Sequence, residues 1–74
     1  MSRLAMIDAK SFAKILDKLG YERVRQTGSH VIYECSGGKS VSVPHHKGED
    51  LPRPLLRSLL RKIDISIEEY DKLR

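Results

Sequence analysis

Two glycine-bearing turns, Thr27-Gly28 and Ser36-Gly37-Gly38-Lys39, cut the middle of this sequence into three short runs. Glycine, serine and threonine at such points favour reversal of the chain. The run Ser40-Val41-Ser42-Val43 alternates polar and apolar residues, the pattern of a strand with one buried face, and Pro44 ends it. Tyr21 to Gln26 and Ser29 to Cys35 read as the two strands before it. The middle of the chain is therefore expected to be a three-stranded antiparallel meander.

Amphipathic segments flank the meander. Asp8 to Gly20 reads as a helix, with Asp8 as N-cap and Gly20 just past the C-terminus. Phe12, Ile15, Leu16 and Leu19 recur at helical spacing and form one apolar stripe. A second helix is predicted from about Pro52 to Lys62, since proline is tolerated in a first helical turn. Its stripe is Leu55, Leu56, Leu59, Leu60 and Ile63. Ser66-Ile67-Glu68-Glu69 is a capping box, which predicts a short third helix from Ile67 to about Lys72. Each long helix has one stripe to bury, so both should cover the same face of the sheet. The expected class is α+β, in the order α-β-β-β-α with a short C-terminal helix, as a single domain over residues 1–74.

A chain of 74 residues leaves no room for a deep enclosed pocket, so function is expected on a face or a shallow groove. Fourteen Lys and Arg against ten Asp and Glu give a net charge of +4, which favours a polyanionic or acidic partner. One Phe, three Tyr and no Trp supply little for stacking single-stranded bases. A single cysteine, Cys35, excludes an internal disulfide and points to a reducing compartment. The N-terminus has no apolar run of signal or membrane length, so the expected location is cytoplasmic, with no membrane partner.

His30 directly follows the Thr27-Gly28 turn and Ser29. If Thr27 and Gly28 form a two-residue loop, Gln26 pairs with Ser29, Arg25 with His30, and Val24 with Val31. Opposed residues share a face, so His30, Arg25 and Arg23 would then project together on the uncovered side. A three-residue loop would turn His30 towards the core. The two-residue loop is preferred because it leaves no arginine facing the core. A neutral imidazole between guanidinium groups suits phosphodiester chemistry: it can accept the proton of a ribose 2′-hydroxyl while the arginines hold the phosphate. The plainer alternative is a solvated strand residue.

His45 and His46 are neighbours whose side chains point apart in an extended segment, and no carboxylate or thiol completes a ligand set. No metal and no cofactor are expected. Arg53, Arg57 and Arg61 form a basic ridge on the second helix, read either as a solvated face or as phosphate contacts.

Several segments together closely resemble the HicA toxin family. They are Leu19-Gly20-Tyr21, the Val-Arg-Gln-x-Gly-Ser-His-x-x-Tyr run from Val24 to Tyr33, the Val-x-Val-Pro-x-His run from Val41 to His46, and Leu56 to Ser66. The similarity spans about residues 8–72. It implies a fold like a double-stranded-RNA-binding domain and a toxin that cleaves mRNA and halts translation. It also implies His30 as the catalytic residue and a HicB-type antitoxin as partner. Arg23, Arg25, Ser29 and Arg57 are the expected RNA-binding residues. His46 falls at the histidine of the Pro-x-His motif, with no role assigned. Pro52-Arg53-Pro54 departs from the family, whose members often carry lysine and glycine there. The alternative reading is a module of double-stranded-RNA-binding type that holds RNA without cutting it.

Overall fold

A computed structural model describes residues 4–74. The order is α1 (Ala9–Lys18), β1 (Glu22–Thr27), β2 (His30–Glu34), β3 (Ser40–Pro44), α2 (Arg53–Lys62) and α3 (Ile67–Leu73). The strands form one antiparallel sheet in the order β1-β2-β3. This is the α+β, double-stranded-RNA-binding-type arrangement, with three helices about a three-stranded sheet.

The helix ends follow from local chemistry. The Asp8 carboxylate accepts from the Ser11 amide at 2.9 Å and caps α1. At the other end Gly20 has φ +90°, and its amide and that of Tyr21 return to the carbonyls of Asp17 and Leu16. Those two bonds are the Schellman closure. α2 carries proline in its first turn and begins at Arg53, close to the predicted start. α3 opens on the predicted capping box, with Ser66 and Glu69 each bonding the other's backbone amide.

The core is one cluster. Phe12, Ile15 and Leu16 of α1, Leu56, Leu59 and Leu60 of α2, and Tyr70 of α3 meet Val31, Tyr33, Val41 and Val43 of the sheet. Alternation along β2 and β3 therefore turns His30, Ile32 and Glu34, with Ser40, Ser42 and Pro44, to the other face.

The β1–β2 register departs from the expected one. Thr27 pairs with His30, Gln26 with Val31, and Arg25 with Ile32. The loop is Gly28-Ser29, and neither expected loop occurs. Gly28 takes φ +59° at the first loop position and Ser29 has negative φ, as a type II′ hairpin turn requires. A bulge between Arg23 and Arg25 then restores the pairing of Arg23 with Tyr33. Val24 is the extra residue. It is 52% exposed, and its expected pairing with Val31 does not form. Every residue of β1 is exposed, so this edge strand extends past the cover of the helices.

Candidate active face of the sheet

His30 opens β2, the central strand, directly after the turn. Its side chain is exposed on the uncovered face, because Val31 beside it is 2% exposed and fixes the alternation. Across the ladders it faces Thr27 on one side and Pro44 on the other. Neither neighbour carries charge, so the ring is open to solvent and to a ligand.

Arg25 shares this face. It opposes Ile32, two residues along β2 from His30, and a diagonal neighbour at that offset lies within reach of a long side chain. Arg23 does not share it. Its register with Tyr33 puts it on the helix side of the sheet, where it stays exposed because β1 overhangs the core. The expectation that an arginine on that side would have to be buried fails for this reason. Arg23 instead donates to Gln26 Oε1. Ser29 is half-buried in the turn. Arg57 is exposed on α2, whose buried side is Leu56, Leu59 and Leu60. It belongs to the helix layer and not to the face of His30.

The other two histidines separate. His45 is half-buried on the helix side, with Nε2 3.0 Å from the Tyr33 hydroxyl and the two rings stacked at 27°. Burial, and then the positive charge of Arg23, hold its pKa below the usual histidine value, against a smaller opposite pull from Asp8. Burial raises the pKa of Tyr33, partly offset by Arg23. Both shifts favour uncharged groups, and the distance suits a phenol donating to an unprotonated Nε2. His46 is exposed and lines a groove of about 330 Å³ with Glu49, Asp50, Leu51, Pro52 and Pro44, the residue opposite His30 in the ladder. Among the described residues no three His, Cys, Asp or Glu side chains converge as a metal-ligand set. None of the described helices is long and apolar enough to cross a membrane.

Sequence reasoning missed Gln26, Tyr33 and His45 as parts of the site. Gln26 donates from Nε2 to the Gly28 carbonyl at 2.9 Å, and the His45 amide donates to the Ser29 carbonyl at 2.6 Å. The Gly-Ser pair itself was the available signal, since glycine at the first position marks a II′ loop and fixes which residues oppose. The bulge left no such mark.

Fold and site together define a small α-β-β-β-α domain of double-stranded-RNA-binding type that presents one histidine on the open side of its sheet. Residues 9–65 match the family described as the HicA toxin of bacterial toxin–antitoxin systems, and the chain belongs to that family. HicA toxins pair with HicB antitoxins and are generally ribonucleases. Comparison with curated proteins gives no match.

Proposed function

We propose that this chain is a metal-independent endoribonuclease that cleaves mRNA and so inhibits translation, and that a HicB-type antitoxin restrains it. The observation that carries this reading is the exposed imidazole of His30 on a sheet face that no helix covers. As general base, His30 takes the proton of a ribose 2′-hydroxyl. The 2′-oxygen bonds to the adjacent phosphorus, and the bond from phosphorus to the 5′-oxygen breaks. That oxygen leaves with a proton from water or from the imidazolium of His30. The products are a 2′,3′-cyclic phosphate and a 5′-hydroxyl.

Arg25, on the same face, neutralises the charge that builds on the phosphate oxygens, and Ser29 contacts the backbone beside the cut. Phosphate contacts by Arg57, on the helix layer, fall on RNA away from the cut. The reaction needs no ion to supply its nucleophile, because the 2′-hydroxyl is within the substrate.

Cleavage of a defined RNA by purified wild type and His30→Ala, each with and without EDTA, tests the proposal. The substitution is expected to lower the rate by about 10²–10⁴-fold. RNA affinity should persist in the variant, and EDTA should leave the wild-type rate unchanged. Equal cleavage by both proteins would refute the role of His30. Affinity without cleavage in the wild type would favour the RNA-binding module. A rate abolished by EDTA and restored by a divalent ion would refute metal independence.

A further inference from the structure

The turn that presents His30 is held from both neighbouring strands. From β1, the Gln26 amide donates to the Gly28 carbonyl at 2.9 Å. From beyond β3, the His45 backbone amide donates to the Ser29 carbonyl at 2.6 Å. These are the two central carbonyls of the loop, and His30 is the next residue. Each donor is itself anchored. Gln26 Oε1 accepts from the Arg23 guanidinium, and the His45 ring is stacked on Tyr33 and bonded to its hydroxyl.

The first anchor depends on the bulge. In an unbroken strand, residues 23 and 26 would point to opposite faces. The extra residue Val24 puts Arg23 opposite Tyr33 and Gln26 opposite Val31, both on the helix side. The irregularity in β1 thus brings together Arg23 and Gln26, of which Gln26 reaches the turn. Arg23 also makes its charge felt at Tyr33 and His45, the pair that anchors the other side.

We infer that Arg23, Gln26 and His45 are positioning residues that clamp the Gly28-Ser29 loop, so that the His30 imidazole meets the ribose in one orientation. The inference rests on the ribonuclease reading of His30. A general base works only within hydrogen-bond reach of its proton, and small displacements of a reacting group are costly in rate. A glycine-containing loop at the end of an exposed hairpin does not fix a ring by itself. The clamp lies on the helix side, so it leaves the face of His30 free for RNA.

Arg23 and Gln26 are both exposed, so water can replace their bonds in a variant at little cost to stability. The loss should appear in turnover. Gln26→Met, similar in size, removes both the donor and the acceptor. Gln26→Glu keeps an acceptor for Arg23 and removes only the donor to Gly28. The measurement is kcat and KM for cleavage of a defined RNA by wild type, both variants and His30→Ala, with the melting temperature of each.

Both Gln26 variants are expected to lose about tenfold in kcat. Gln26→Met should keep the wild-type KM and melting temperature. Wild-type kcat in either variant would overturn the clamp. A raised KM at unchanged kcat in Gln26→Met would overturn it in favour of direct RNA contact, and a lowered melting temperature in favour of a purely structural bond. Cleavage by His30→Ala at the wild-type rate would instead refute the ribonuclease role of His30, and the clamp with it.

Discussion

His30 closes the β2–β3 ladder opposite Pro44, His45 follows Pro44 just beyond β3, and the two rings have different surroundings. The ring of His30 stands in the open, while that of His45 is half-buried against Tyr33 with Arg23 nearby. Burial and that neighbouring charge disfavour the imidazolium of His45, so its folded pKa lies below the unfolded value near 6.5. The unfolded chain then binds the extra proton first as pH falls, and stability drops with it. The contribution of His45 is complete above about pH 6.5 and is lost as pH falls from there through its folded pKa. NMR titration of the His45 ring should give a midpoint below 6.5, and denaturant unfolding should show stability declining over that range. A midpoint at or above 6.5 would contradict this account of its surroundings.

At the scale of elements, the two long helices close by the same motif with different residues. α1 ends on Gly20 at φ +90°, while α2 ends on Asp64 at φ +59°, with the Asp64 and Ile65 amides returned to Arg61 and Leu60. Asp64 is the only described non-glycine residue with positive φ. Asp64→Gly removes the Cβ from a left-handed position and should stabilise the fold by about 0.5–1 kcal/mol, read as a higher urea midpoint. An unchanged or lower midpoint would mean that the aspartate side chain contributes more than the backbone loses.

Asp64 also marks where the sequence was silent, since nothing in its neighbourhood resembles a glycine stop. The elements with strong local signals were legible. The stripe and cap of α1, the alternation of β3 and the capping box of α3 each fix structure within a few residues. The exposed position of His30 was expected, but from a Thr27-Gly28 loop that does not form; in the structure the burial of Val31 and Tyr33 dictates it. The partners of His30 were not legible. They depend on a loop shifted by one residue and on a bulge at Val24, and β1 has no buried residue to enforce its register. Arg25 therefore keeps the face of His30, and Arg23 leaves it.

For the whole molecule, shape decides where chemistry can occur. The extents are 36 × 29 × 17 Å, and the shortest spans little more than one sheet and one layer of helices. A body this thin encloses no deep site. All the large apolar side chains of β2 and β3 that are buried serve the helix side, and the opposite side carries His30, Ile32, Glu34, Ser40, Ser42, Pro44 and, from β1, Arg25. An RNA strand can lie along that surface without any part of the protein opening. The net charge of +4 favours a polyanionic strand there, and under the proposed function the imidazole of His30 is the reactive group of that surface.

The account turns on internal attack by the ribose under the control of His30, and the chemical ends of the cleaved RNA test that most directly. Digestion of a defined RNA by the wild-type protein, with the new termini identified by mass spectrometry, should give 2′,3′-cyclic phosphate and 5′-hydroxyl ends. A 2′-deoxy substitution at the cut position should abolish the reaction. Products ending in 3′-hydroxyl and 5′-phosphate, or cleavage that persists without the 2′-hydroxyl, would contradict it.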